Sequence, residues 1–145
     1  MGKVFLGGTC NGSLWREDLI KLLDIEYFNP VVEDWTPDCM AEERKQREDC
    51  DFCLYVVTPK MTGVYSIAEV VDDSNKRPHR TMFCVLEKDV DVGAVSLYEP
   101  VERKEISFSP GQLKSLTQVG ALVERNGGKV FNGLEDVADL LNGGQ

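Results

Sequence analysis

Histidine is almost missing from this 145-residue chain, with a single copy at His79. Long apolar stretches are missing too: no run approaches the roughly 18 residues that cross a bilayer. Basic residues are scarce, 16 against 25 acidic, which leaves a net charge of −9. Such a surface repels nucleic-acid phosphates and anionic lipid, which argues against a duplex-binding or membrane-bound protein. The five cysteines (Cys10, Cys39, Cys50, Cys53, Cys84) form an odd set without framework spacing, and with one histidine they fall short of a zinc site. Cys50-Asp51-Phe52-Cys53 is formally a C-x-x-C, yet it enters an apolar strand instead of opening a helix. No pattern calls for a metal or an organic cofactor. Met1-Gly2-Lys3 leads directly into a strand-like run and nothing resembles a signal peptide. The expectation is a soluble cytoplasmic protein with free thiols, residues 1–145 forming one domain around its own core.

What is present is an alternation of strand and helix signals. Lys3 to Leu6 reads as a short strand ending at Gly7-Gly8, and Ser13 is placed to cap a helix carrying Trp15, Leu19, Leu22 and Leu23. Glu26 to Asn29 reads as a second strand. Thr36-Pro37 is cap and first-turn proline for a charged helix through about Glu48. Phe52 to Val57 is apolar throughout, as in a parallel strand covered on both faces. Val64, Ile67, Ala68 and Val71 then give a helical stripe, Thr81 to Leu86 a fourth strand, and Glu87 to Pro110 an irregular charged loop. Leu113, Leu116, Val119 and Val123 mark a helix closed by Asn126-Gly127-Gly128. Lys129 to Phe131 is the last strand, and Leu134, Val137, Ala138 and Leu141 lie on a final helix. The predicted fold class is α/β: a flavodoxin- or Rossmann-like five-stranded parallel sheet, order 2-1-3-4-5, with helices on both faces.

Ligands in such sheets bind beyond the carboxyl ends of the strands. That rule directs attention to Gly7–Ser13, Pro30–Thr36, Thr58–Ser66 and the stretch from Glu87. In the first segment Gly7 and Gly8 permit close backbone approach, while Thr9, Asn11 and Ser13 offer hydrogen bonds to a phosphate or a sugar hydroxyl. An ordinary glycine-rich turn fits equally well. Asp34-Trp35 offers an indole that can stack on a base, or serve as a hydrophobic lid. Glu69 lies early in the helix after the third strand, off the apolar stripe, and pattern alone favours a solvated surface glutamate there. Glu43, early in the preceding helix, approaches the same edge. Two carboxylates at one cleft can divide labour as nucleophile and proton donor. Asp51 opens its strand at the opposite edge and reads as structural. Asp72, Asp73, Lys76, Arg77 and Arg80 read most simply as solvated charges, and His79 as a turn residue without a catalytic role.

Three blocks in order, Val4-Phe5-Leu6-Gly7-Gly8, Asp51 to Pro59, and Gly63-Val64-Tyr65-Ser66-Ile67-Ala68-Glu69-Val70, resemble the nucleoside 2-deoxyribosyltransferase-like superfamily, which includes nucleotide N-glycoside hydrolases. The similarity covers roughly the first 90 residues. It implies that Glu69 attacks the anomeric carbon to form a glycosyl ester. It also implies that Glu43, eight positions before Asp51, assists in positioning or protonation. Gly7 to Asn11 would contact base and sugar, and Ser66 joins them at the helix start. A small-molecule nucleoside or nucleotide is the implied partner, and a homo-oligomer the implied assembly. The chain departs from the family pattern at Val70-Val71, where Leu-Gly is usual, and at Gly63, where an acid is common. A NAD glycohydrolase of Toll/interleukin-receptor-like type and a non-catalytic nucleotide-binding module are the competing readings.

Overall fold

The computed structural model describes residues 2–10, 12–32, 36–92 and 103–143. In chain order these form β1 (Lys3–Gly8), α1 (Trp15–Ile20), β2 (Glu26–Phe28), α2 (Pro37–Asp49), β3 (Phe52–Val57) and α3 (Tyr65–Lys76). There follow β4 (Thr81–Val85), β5 (Lys88–Val92), β6 (Arg103–Ser107), α4 (Pro110–Arg125), β7 (Lys129–Phe131) and α5 (Leu134–Leu141). Five strands pair in parallel in the order β2-β1-β3-β4-β7, the 2-1-3-4-5 arrangement read from the sequence.

Strand residues alternate between two apolar layers because successive side chains leave a strand on opposite faces. Val4, Leu6, Leu54, Val56, Met82 and Cys84 pack with Trp15 and Leu19 of α1 and Val137, Ala138 and Leu141 of α5. Phe5, Cys53, Tyr55, Val57, Phe83 and Val85 pack with Val70 of α3 and Leu116 and Val123 of α4. Burial on both faces is why the strands read as continuous apolar runs. Each fully buried side chain of this kind contributes about 2 kcal/mol relative to exposure. At the amino edge, Asp51 Oδ2 accepts the Lys3 N–H (2.9 Å), which ties the start of β3 to the start of β1. It is the structural role expected of Asp51.

The glycine pair that ends β1 is required by the neighbouring strand. Gly7 and Gly8 pair with Tyr55 and Val56. A Cβ on Gly7 would stand 2.7 Å from the Tyr55 ring, and one on Gly8 only 1.9 Å from the Val56 carbonyl oxygen. Gly8 also has φ +120°, a conformation that side chains rarely adopt. Gly8→Ala is therefore expected to destabilise the protein by about 3 kcal/mol through backbone strain and the forced separation of β1 from β3. A urea-denaturation midpoint within 1 M of the parent would contradict this.

Four local readings change. Glu87 to Pro110 contains β5 and β6, an antiparallel pair running from Lys88↔Ser107 to Val92↔Arg103. The alternation Asp89-Val90-Asp91-Val92 was its period-2 signal. Ser13 is not the N-cap of α1, a position held by Leu14, although its Oγ accepts the Trp15 N–H (3.4 Å); its hydroxyl donates to Asp89 Oδ2 (2.7 Å), joining the β1 loop to β5. In α3 the inward stripe is Ile67, Val70, Val71 and Ser74, because Val64 is 70 % exposed and Ala68 faces outward. Asp73, grouped above with solvated charges, is completely buried. A carboxylate tolerates that only with partners, and Arg47, Arg77 and Tyr55 supply them. Lys76 and Asp72 do form an exposed i, i+4 pair (3.0 Å).

Candidate active site

The loops after β1, β2 and β3 enclose a cleft of about 270 Å³ at the carboxyl edge of the sheet. Gly7, Gly8, Thr9 and Cys10 form one wall, Met61 to Gly63 with Tyr65 and Ser66 another, and Glu43 and Glu69 face in from α2 and α3. Of the residues expected there, Gly7, Gly8, Thr9, Ser66, Glu43 and Glu69 come together. Asn11, Asp34 and Trp35 lie outside the described residues.

Thr9 is a structural wall as much as a contact surface. Its hydroxyl accepts the Thr58 N–H (3.0 Å), its own N–H donates to Val56 O (2.9 Å), and its carbonyl accepts from Trp15 Nε1 (2.8 Å). The carbonyl also accepts from Arg16 Nη1 (2.6 Å). Arg16 was not anticipated. It is 4 % exposed, donates further to Leu6 O (3.1 Å) and Gly8 O (3.3 Å), and packs against the Trp15 ring at 4.4 Å. The guanidinium thus staples the turn after β1 from beneath. Burial lowers its pKa, although Cys10, Glu17 and Glu43 act in the opposite direction.

Glu69 is not the solvated residue that its helix pattern favours. Its side chain is 11 % exposed, and Arg47 Nη1 stands 3.4 Å from Oε2. Burial pushes the Glu69 carboxyl up to about 7, and the charges of Glu43 and Asp73 add to the rise while Arg47 opposes it. Glu43 is raised as well, again by burial, against the pull of Arg47 and Arg16. Two carboxyls that face one cleft and are both raised hold their protons more tightly than exposed carboxyls do.

Arg47 joins this pair to the interior. Its Nε donates to Tyr55 Oη (2.9 Å) and its Nη2 to Asp73 Oδ1 (2.9 Å), while Tyr55 donates a short hydrogen bond to Asp73 Oδ2. Burial and the Asp73 charge hold the Tyr55 hydroxyl well above its ordinary range, so it stays a neutral donor. The Arg47 guanidinium keeps its charge: burial opposes it, and Tyr55, Asp73 and Glu69 more than compensate. Arg47 looked like one more charge on a polar helix. Its i, i+4 spacing from Glu43 places both on one face, which was the available signal.

A parallel α/β sheet with paired carboxyls beyond its carboxyl edge defines a small-ligand site of the Rossmann-like class. The chain belongs to the nucleoside 2-deoxyribosyltransferase like family, whose family model matches residues 2–89. Searches of curated proteins and of solved structures returned no match. Membership supports a nucleoside deoxyribosyltransferase-like function in general. Among the described residues no helix is long and apolar enough to cross a membrane.

Proposed function

We propose that this protein cleaves or transfers the N-glycosidic bond of a (deoxy)nucleoside or nucleoside monophosphate, with Glu69 as nucleophile and Glu43 as proton partner. The observation that carries the reading is the half-buried carboxyl pair facing one cleft at the sheet's carboxyl edge. In the first step Glu69 attacks C1′ and an ester bond forms. The bond from C1′ to the base breaks, and its electron pair leaves with the base, which takes the Glu43 proton. In the second step water or another base attacks C1′. The ester's electron pair returns to the Glu69 carboxylate, and the attacking group gives its proton to Glu43. Gly7, Gly8, Thr9 and Ser66 bound the substrate, with Asn11, Asp34 and Trp35 assigned to the same set from the sequence.

The test is chromatographic detection of free base from deoxynucleosides, ribonucleosides, their monophosphates and NAD, with and without an acceptor base. Base released without acceptor identifies a hydrolase, and a new nucleoside formed only with acceptor identifies a transferase. Nicotinamide release or silence across the panel refutes the proposal. Catalysis needs one proton on the pair, so kcat/KM follows a bell. It falls in acid, where both carboxyls are protonated, and again above about 7, where the pair gives up its last proton; that proton rests mainly on Glu69, and attack proceeds from the tautomer that carries it on Glu43. Glu43→Gln, which cannot donate, is expected to lower kcat by about a hundredfold with little change in KM and to abolish the alkaline limb. A rise in KM alone would remove Glu43 from the chemistry.

The reading includes a homo-oligomer. No residue of α2 is buried, and Met40, Val64 and Tyr65 stand 46 %, 70 % and 72 % exposed on the elements that carry Glu43 and Glu69. A second copy covering them would close the cleft, and light scattering reads the assembly directly.

A further inference from the structure

We propose that Arg47 is the positioning residue of this site: clamped from within by Asp73 and Tyr55, it presents one nitrogen to Glu69 and holds that carboxylate for attack. The inference rests on the reading of Glu69 as nucleophile. A guanidinium has a rigid fork of donors, and what it does depends on which edges are occupied. Here Nε and Nη2 are taken by Tyr55 Oη (2.9 Å) and Asp73 Oδ1 (2.9 Å). Asp73 is itself fixed by Arg77 Nη2 (2.6 Å). The fork is therefore held, and Nη1 is the nitrogen turned toward Glu69.

Nη1 lies 3.4 Å from Glu69 Oε2, an ion pair longer than a charge-assisted hydrogen bond. Contact of this kind restrains one carboxylate oxygen without a short bond that would draw down its nucleophilicity. Oε1 remains for the anomeric carbon. When the glycosyl ester breaks in the second step, negative charge returns to Glu69, and the fixed guanidinium is already in place to receive it. The surrounding charges work against ionisation. Glu43 from α2 and Asp73 from the same helix repel a Glu69 carboxylate, and Asp72 is also close to Arg47, at 3.6 Å from Nη2. Arg16 and Arg44 line the space around the pair. Among the described residues that act on Glu69, Arg47 is the one that favours its charged form.

The experiment is a 13C titration of glutamate-labelled protein, with the Glu69 carboxyl resonance assigned by its loss in Glu69→Gln. It is run on the parent, Arg47→Met and Arg47→Lys, beside pH profiles of kcat/KM. In Arg47→Met the Glu69 midpoint is expected to move upward by about one pH unit, and the alkaline limb of kcat/KM to move with it. Arg47→Lys, which keeps the charge but loses the fork, is expected to recover most of the midpoint while kcat stays at least about tenfold down. Should Arg47→Met fail to fold, Arg47→Met/Asp73→Asn removes both halves of the buried pair, and its Glu69 midpoint is still expected above that of the parent. An unmoved Glu69 midpoint in folded Arg47→Met, or in the folded Arg47→Met/Asp73→Asn variant, overturns the inference, and so does full activity in Arg47→Lys. The titration needs no turnover. Absence of base release by the parent would defeat the proposed function, whereas an unmoved midpoint defeats the role of Arg47.

Discussion

Glu69→Gln is expected to lower base release by at least about a thousandfold, because an amide supplies no anionic oxygen to attack C1′ and no carboxylate to be expelled afterwards. The same variant is expected to be more stable than the parent in mild alkali. The Glu69 carboxyl titrates near 7 in the fold, against an ordinary value of 4.5, so folding favours its protonated form. Stability that depends on the proton is complete below about 4.5 and is lost as pH rises through about 7. Discounted for the access of solvent to the cleft, the penalty above neutrality is about 2 kcal/mol, which glutamine, always uncharged, avoids. Denaturant curves at pH 4.5 and pH 8 therefore separate the two effects. The variant should match the parent at the lower pH and exceed it at the higher. Glu69→Gln with parental turnover would end the assignment of Glu69 as nucleophile. Equal stabilities at pH 8 would show instead that the carboxylate is not strained by its site. A residue whose removal strengthens the fold and abolishes the reaction has been retained for chemistry.

Asp73→Ala is expected to cost about 3–5 kcal/mol, the scale for breaking a buried ion pair by removing one partner. Asp73 is completely buried and accepts from Arg47, Arg77 and Tyr55 together. Its loss strands two guanidinium groups and a phenol in a space that water reaches poorly. A chain of this length has a total stability of roughly 5–15 kcal/mol, so the melting temperature should fall by on the order of 10 °C. Arg47 would also lose its inner clamp, so kcat should fall beyond what the unfolded fraction explains when assayed well below the transition. A cost under 1 kcal/mol by chemical denaturation would show that solvent or side-chain rearrangement satisfies the stranded donors.

Much of the fold was legible because strand and helix periodicities are local. Phe52 to Val57 declares a doubly covered parallel strand by its unbroken apolar run, and Thr36-Pro37 marks the start of α2. The β5–β6 pair is hard to read because its charged alternation looks like a solvated loop: among the described residues its strands form a two-stranded sheet of their own. Glu43 and Glu69 could be placed at the carboxyl edge because the crossover helices start there.

By itself, then, the sequence determined the parallel α/β order, the glycine turn after β1 and the two glutamates at one edge. Only the tertiary structure decided which charges are buried. Asp73 and Asp72 are neighbours on the same helix, yet Asp73 is sealed and Asp72 pairs with Lys76 outside. The cost of burying Asp73 is met by Arg47 and Tyr55, 26 and 18 positions away in the chain. The same folding step turned Gly8 from a turn residue into the point where β1 and β3 touch. Desolvation and pairing depend on what surrounds a group in space, and that surrounding exists only after the chain has closed.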